Sequence, residues 1–470
     1  MFCFARLRPS FPSPYRQYLS HAAPSHLHSR PFSFTPHRWL PRSSQSLKSP
    51  ASQRGLPSFR EQVARSTAVR SFSEYVKYPK VGYQIGTALL LSGFVYYYAA
   101  TETNQISYRN ERAQTGLSWP PQWTGMSSNV RVVSELQLKA ELERGVKTLL
   151  DYISFAPKMM QSVVVDVYAF AANKYFHALD GERAAYWITG LNIAIWLAWQ
   201  IPRLRPFMRV HFTHDPLSGK AYTMLTSTFS HASFLHLLFN SMALLSFSQT
   251  SSLWMMSEQD RPEHLRQARD MYHFFAFFVS AGLFSSLVSH VVSTRILFPR
   301  IINQIAHNPH AKPAAAPLSH WASSAKNVTG STVTASSGSA TASVTASTAA
   351  ATASASPAAA EAAAAVPRIL PSLGSSGAIY SAFILTALAF PDGEVSLIFP
   401  PVGPFPMSYG AAGIVLLDCV GVLRGWKLFD HYAHLGGAAF GALYWTYGAG
   451  FWDWTRRNVL GEKPKSNAGL

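Results

Sequence analysis

The stretch "PSLGSSGAIYS", residues 371–381, begins an apolar segment in an unusual way. Ser375 and Ser376 stand between Gly374 and Gly377, and the apolar run "AIYSAFILTALAF" follows at once. One interpretation is a helix cap, because serine is a good N-cap residue and glycine is common in membrane helices. The other is a serine that reacts with a bound chain, since flanking glycines permit a tight turn and the close approach of another backbone. The rest of the sequence decides between the two.

The composition indicates a membrane protein. The 470 residues are 48% hydrophobic and 13% charged, and this charged share is about half of the quarter that is usual in soluble domains. The mean hydropathy of +0.05 is modest for a protein with many spans. Apolar spans therefore alternate with long polar segments.

The basic residues are concentrated at the N-terminus. The formal net charge is +17, and residues 1–80 hold 13 Lys and Arg against two acidic residues. This region is rich in Arg, Ser, Pro and His and lacks the apolar core of a secretory signal, as in a mitochondrial transit segment. We predict such a segment over residues 1–72, with removal near Phe72 because Arg70 stands shortly before it. The alternative is a basic tail that binds anionic lipid, and a nucleic-acid-binding surface is not indicated.

The cysteine content limits the disulfides and metal sites that the chain can form. Cys3 and Cys419 are the two cysteines of the chain, and Cys3 would leave with the transit segment. A disulfide framework is then impossible and a thiolate metal site is not indicated. We predict no metal and no cofactor.

Seven apolar segments approach the length of about 20 residues that a helix needs to cross a bilayer. They occupy residues 81–100, 184–201, 233–254, 272–292, 374–390, 407–423 and 431–450. The predicted fold is an all-α polytopic membrane protein with a six-helix core and one extra N-terminal transmembrane helix.

The remaining segments connect these spans. Residues 101–183 are of mixed charge and include a helical pattern at 134–153, which predicts an amphipathic connector. Residues 306–367 are dominated by Ala, Ser and Thr and carry too little apolar bulk to offset the entropy of ordering. We predict a disordered loop there, interrupting a core of 184–450. Residues 451–470 form a C-terminal tail.

Polar side chains within spans are expensive and usually functional. His236 and Asn240 are four residues apart and so share one helix face. Each polar residue also has an ordinary interpretation, such as a packing histidine or an asparagine that binds a neighbouring helix. Gly437 and Gly441 form a GxxxG pattern, which favours helix packing. The joint set, with Ser376 and His434 on two other spans, supplies a nucleophile, a base and two oxyanion donors.

Each member of this set has a distinct predicted role. Ser376 is the candidate nucleophile, and His434 would take its proton and return it to the leaving amine. Tyr380 lies one helical turn after Ser376 and could stack on the imidazole. His236, Asn240 and the Ser376 backbone N–H could donate hydrogen bonds to the tetrahedral oxyanion.

Three motifs together resemble the rhomboid intramembrane serine proteases. "GSSG" at 374–377 fits their GxSG motif, "HASFLHLLFN" at 231–240 fits HxxxxHxxxN, and "AHLGGAAFG" at 433–441 fits AHxxGxxxG. They occur on core spans four, two and six, in the family's order. The resemblance covers about 184–450 without the Ala/Ser/Thr-rich loop. The chain departs from the family in the length of that loop and in lacking a Trp-Arg pair, since "KAYTMLTSTFSH" stands at that point.

The resemblance implies a Ser376–His434 dyad, with His236 and Asn240 in the oxyanion hole, Tyr380 supporting the base and His231 bracing the loop before core span two. The extra span and the basic leader look like the mitochondrial, presenilin-associated rhomboid-like branch, and the whole suggests a fungal member. That branch processes a dynamin-like inner-membrane fusion GTPase and, in fungi, cytochrome c peroxidase.

The expected function is therefore hydrolysis of peptide bonds in or next to transmembrane helices of mitochondrial inner-membrane proteins. The expected partners are such helices and the lipid bilayer, without nucleic acid or metal. With the leader in the matrix and seven spans, the mouth of the site falls on the matrix side, and the loop charges agree weakly with this.

Other functions remain as alternatives. A catalytically inactive rhomboid-like protein would bind client helices without cutting them. A zinc-dependent or aspartyl intramembrane protease is disfavoured, because there is no HExxH motif and Asp418 is the single acid within a core span. A transporter would show paired polar interruptions in two halves, which we do not find. Asp430, four residues before His434, is either a third catalytic member or a charged residue at the membrane boundary.

Overall fold

The computed structural model describes residues 3–6, 76–115, 130–307, 369–397, 402–427 and 429–461. Residues 1–7 and 77–470 form one compact unit, to which every element below belongs. The second unit, residues 8–76, lies outside the described residues apart from Val76. Of the predicted transit segment, the structure thus describes only residues 3–6. Of the predicted Ala/Ser/Thr-rich loop, it describes only residues 306 and 307.

Helices make up most of the described chain. In chain order they are α1 (Gly82–Thr115), α2 (Val130–Tyr152), α3 (Lys158–His177), α4 (Asp180–Gln200), α5 (Arg205–His211), α6 (Thr223–Thr228), α7 (Phe234–Gln259), α8 (Met271–Val292), α9 (Phe298–His307), α10 (Ser376–Ala389), α11 (Met407–Arg424) and α12 (His431–Leu460). A π-helical turn, Ser293–Leu297, joins α8 to α9.

Each of the seven apolar segments lies in a helix, namely α1, α4, α7, α8, α10, α11 and α12. Two helical stretches are long and apolar enough to cross a membrane by length and composition alone, Met271–Ala306 and Met407–Arg424. Ser376–Ala389 is apolar but shorter. Membrane crossing by the other five helices stays a prediction.

A small antiparallel sheet accompanies the helices, and the prediction of an all-α chain did not include it. Its strands, in the order β1-β2-β3, are Cys3–Arg6, Glu394–Leu397 and Val402–Pro406. Cys3 pairs with Leu397, and β3 leads directly into α11. The connection after α10 contains Pro and Gly, which end helices, and Val395 of β2 is fully buried.

Helix α10 lies at the centre of the fold and packs against α7, α8 and α12. Residues with small side chains bring its backbone close to α12. A Cβ at Gly437 would overlap the Gly377 carbonyl oxygen, and one at Gly441 would overlap the Ser381 carbonyl oxygen. Ser381 Oγ donates to the Gly437 carbonyl at 2.8 Å. The predicted GxxxG pair therefore lies at a helix contact.

Helix α1 packs against α8 and α12. Its polar end is held by Arg456, a fully buried residue of α12. Arg456 Nε donates to Asn104 Oδ1 at 2.8 Å, while Asn104 Nδ2 donates to the Arg456 carbonyl at 3.0 Å. Arg456 also donates to the carbonyls of Leu265 and Arg266. This reciprocal pairing extends both helices beyond the apolar runs from which they were predicted.

Candidate active site

A glycine turn places Ser376 at the first position of α10. Gly374 adopts φ +124°, a conformation that favours glycine. Its N–H donates to the Ser227 carbonyl at 2.9 Å, and a Cβ at Gly374 would come within 2.7 Å of the His236 ring. Ser375 occupies the N-cap position, so the cap and the candidate nucleophile are two adjacent serines.

His434 lies in the first turns of α12 and faces this serine. Its Nε2 is 3.0 Å from Ser376 Oγ, a hydrogen-bond distance. The side chain is 14% exposed, so the pair is shielded but can still be reached. The structure therefore brings the two predicted dyad residues together.

The third partner is Asp418 and not Asp430. His434 Nδ1 lies 3.2 Å from Asp418 Oδ1 on α11, and the Asp418 side chain is 6% exposed. Asp430 caps α12 instead, where it accepts from the Ala433 N–H at 3.0 Å and from Ser289 Oγ at 2.7 Å. Because His434 Nδ1 contacts Asp418, the structure places Asp430 as the cap of α12 and not as a third catalytic member.

Sequence reasoning noted Asp418 as an acid within a span but gave it no role. The sequence feature that could have revealed its role is the energetic cost of a carboxylate within a membrane span, because such a carboxylate needs a partner. The partner could not be read from local spacing, because Asp418 and His434 lie 16 residues apart on different helices.

Two aromatic rings contact the imidazole of His434. The Tyr380 ring is stacked on it, with centroids 5.2 Å apart and planes inclined by 21°. The Phe429 ring lies 6.0 Å away at 32°. Tyr380 thus lies where the sequence predicted it, and Phe429 is an additional neighbour from the loop before α12.

The predicted oxyanion donors lie beside the glycine turn. The His236 ring packs under Gly374. Asn240, one turn further along α7, donates from Nδ2 to the His236 carbonyl at 2.8 Å. One amide hydrogen of Asn240 is therefore engaged within its own helix. The Ser376 N–H is at the start of α10, where N–H groups have no partner within their helix.

His231 braces the turn itself. Its Nε2 lies 3.3 Å from Ser375 Oγ, and its ring is in edge contact with His236 at 5.0 Å. It therefore links the loop before α7 to the residue before the candidate nucleophile. A Cβ at Gly377 would come within 2.6 Å of Ser285, so helix packing requires its small size, and its part in substrate approach stays a prediction.

The geometry can perform acid–base-assisted nucleophilic chemistry. An ionised carboxylate only accepts hydrogen bonds, so Asp418 holds the proton of His434 on Nδ1. The lone pair of Nε2 then faces the hydroxyl of Ser376, as a general base requires. Within the described ranges, no group of three His, Cys, Asp or Glu residues could hold a metal ion.

Comparison with known proteins gives a consistent set of similarities. A model of the Rhomboid domain matches residues 218–298 and 323–450, which contain every residue of the site. The mitochondrial presenilin-associated rhomboid-like proteins of Mus musculus and Homo sapiens are each 29% identical over 278 residues. Those alignments cover 59% of this chain and 52% and 51% of the two relatives.

A more distant similarity is to the mitochondrial Rhomboid protein 1 of Saccharomyces cerevisiae. It is 23% identical over 269 residues, which are 57% of this chain and 53% of that protein. The chain spans about half the length of the curated relatives it matches. No solved structure matches it.

Proposed function

This chain belongs to the rhomboid family, and we propose that it is an intramembrane serine protease. The observation that carries the proposal is the 3.0 Å approach of His434 Nε2 to Ser376 Oγ, with Asp418 behind the imidazole. The proposed reaction is hydrolysis of peptide bonds in or next to transmembrane helices.

The reaction proceeds in two halves. Ser376 Oγ attacks the scissile carbonyl carbon while His434 Nε2 takes the hydroxyl proton, which gives a tetrahedral oxyanion. The imidazolium then protonates the leaving amine, the peptide bond breaks, and an ester to Ser376 remains. Water attacks the ester as His434 takes its proton, and return of that proton to Oγ releases the acid product.

The surrounding residues stabilise the charges that develop. Asp418 faces the imidazolium, and Tyr380 holds the ring in place. The Ser376 N–H lies at the positive end of α10, and we propose that it and His236 donate hydrogen bonds to the oxyanion. A single oxyanion donor is typically responsible for about a hundred- to thousandfold in rate.

The family and the relatives support a mitochondrial membrane protein. We propose the inner membrane, with seven spans, removal of a transit segment over 1–72 and a site that opens toward the matrix. Candidate substrates are inner-membrane proteins such as a dynamin-like fusion GTPase or cytochrome c peroxidase. Spans that unwind readily are preferred, because a regular helix hides its carbonyls.

The test is cleavage of a tagged single-span substrate by purified protein in detergent. Ser376→Ala and His434→Ala are each expected to abolish cleavage, while Ser372→Ala, in the same loop, retains it. EDTA has no effect. Full activity in Ser376→Ala refutes the proposal. A wild type that binds several helix-breaking substrates without cutting them supports the inactive, client-binding alternative.

A further inference from the structure

Asp418 has two histidine partners, and the shorter contact is not with His434. His431, the first residue of α12, has its Nδ1 2.6 Å from Asp418 Oδ1. The corresponding distance from His434 Nδ1 to the same oxygen is 3.2 Å. A single carboxylate oxygen therefore lies between two imidazoles, three residues apart on one helix.

The fold accommodates the His431 ring closely. A Cβ at Gly421 of α11 would overlap this ring, so α11 has no side chain where the imidazole lies. The rings of Trp426 and Phe429 are 6.4 and 6.3 Å away, and the His431 side chain is 5% exposed. The ring is thus confined between α11 and the loop that precedes α12.

The chemistry fixes the direction of both hydrogen bonds. Because the ionised carboxylate only accepts, His431 and His434 both donate from Nδ1. His434 uses its Nε2 toward Ser376, whereas His431 Nε2 is buried and has no hydrogen-bond partner among the described residues. His431 therefore acts through Asp418 and does not touch the serine.

We propose that His431 is a positioning residue, which holds the Asp418 carboxylate in the orientation that keeps the proton of His434 on Nδ1. The inference rests on the proposed protease function. A carboxylate that loses one of its donors is held less firmly, and a buried acceptor left short of donors loses part of the orientation of its remaining bonds. His434 then spends less time in the tautomer that can accept the Ser376 proton.

The experiment compares two substitutions of His431, one that keeps a hydrogen-bond donor and one that removes it. Asn can place an N–H near the position of the imidazole Nδ1, whereas Leu fills the space without a donor. We expect His431→Leu to lower kcat by about five- to tenfold with KM unchanged, and His431→Asn to stay within about threefold of wild type. Gly421→Ala, which displaces the ring, should reproduce the Leu variant. Tyr432→Leu introduces the same residue at the neighbouring position and should leave kcat unaltered.

A second readout does not depend on cleavage. Nitrogen-15 NMR of histidine in detergent reports which ring nitrogen of His434 carries the proton. We expect Nδ1 protonation in wild type and in His431→Asn, and a mixture of tautomers in His431→Leu.

The outcomes separate this inference from the proposed function. If Ser376→Ala cleaves like wild type, the protease proposal fails while the tautomer measurement still tests His431. If cleavage depends on Ser376 but His431→Leu keeps full kcat and an unchanged tautomer, the inference on His431 fails alone. Equal losses in the Asn, Leu and Tyr432→Leu variants indicate a merely structural effect and overturn it.

Discussion

Replacing Asp418 by Asn tests whether the carboxylate behind His434 contributes to the reaction. Asp418 Oδ1 lies 3.2 Å from His434 Nδ1 in a site where the carboxylate is 6% exposed. The imidazolium that forms during the reaction would thus face a desolvated negative charge. Asn has the same shape and can still accept a hydrogen bond through its carbonyl oxygen, so the substitution removes the charge and replaces one carboxylate oxygen by an NH₂ group.

The expected magnitude follows from the hydrogen bond that is weakened. A bond to a charged group contributes about 1.5–3 kcal/mol and a neutral one about 1 kcal/mol. A loss of about 1–2 kcal/mol corresponds to about five- to thirtyfold in rate. The observed 3.2 Å exceeds the ~2.8 Å of a strong charge-assisted bond, and Tyr380 also holds the ring. We therefore expect about a tenfold lower kcat, with KM unchanged because the charge acts on a species formed only during the reaction.

The assay is steady-state cleavage of a single-span substrate in proteoliposomes by Asp418→Asn and wild type. Asp430→Asn is the matched control: the same chemical change is made at the acid that caps α12, and Asn is itself a good N-cap. The control should keep both kcat and thermal stability. A kcat of Asp418→Asn within twofold of wild type would refute the reasoning and leave a Ser–His pair that works without a carboxylate.

Three further predictions concern stability. Gly437→Ala should lower the free energy of unfolding by about 1–3 kcal/mol, because its Cβ meets the Gly377 backbone. Gly413→Ala is the control and should leave the free energy of unfolding unchanged, because there is open space around Gly413. Thermal unfolding in detergent compares the two variants. Arg456→Met should cost at least about 2 kcal/mol by the same measurement, since it removes the donor from the buried carbonyl of Leu265 and the partly buried carbonyl of Arg266, in the loop before α8. Burial raises the pKa of the Asp270 carboxyl to about 6. The protonated carboxyl therefore contributes stability below about pH 4, and this contribution is lost as the pH rises through about 6. The fall in Tm between pH 4 and 7 should be smaller in Asp270→Asn, and an equal fall would contradict the raised pKa of Asp270.

The sequence predicted the helices better than their ends. Apolar runs of span length gave the position of each of the seven segments, because the hydrophobic pattern is local. Helix α1 continues to Thr115 and α12 to Leu460, well past the apolar runs. The polar residues that extend them, Asn104 and Arg456, stabilise each other across 352 positions of sequence. A hydropathy pattern carries no information on such a pairing.

The residues of the candidate site likewise include some that local sequence patterns predict and one that depends on tertiary contacts. Ser376, Tyr380 and His434 were predicted from the motifs and from one-turn spacing, and the structure brings their side chains together. The resemblance to mitochondrial rhomboids is confirmed by the family match and the relatives. The role of Asp418 was missed because it lies on a different helix from His434, and the sequence left open whether the third member is Asp430, which satisfies the spacing rule. The Asp430 carboxylate is instead consumed by the α12 N-terminus and Ser289, a competition that only the tertiary structure reveals.

The distance between the two reacting groups is set by packing away from them. Ser376 starts α10 and His434 lies near the start of α12, so the spacing of these two helices determines whether Oγ and Nε2 can meet. That spacing is fixed where Gly437 lies against the Gly377 carbonyl and Gly441 against the Ser381 carbonyl, on backbone that cannot yield. Larger side chains at the two glycines would part the helices by more than the tolerance of a 3.0 Å hydrogen bond. The small residues that sequence reasoning assigned to packing are therefore also a condition for the proposed chemistry.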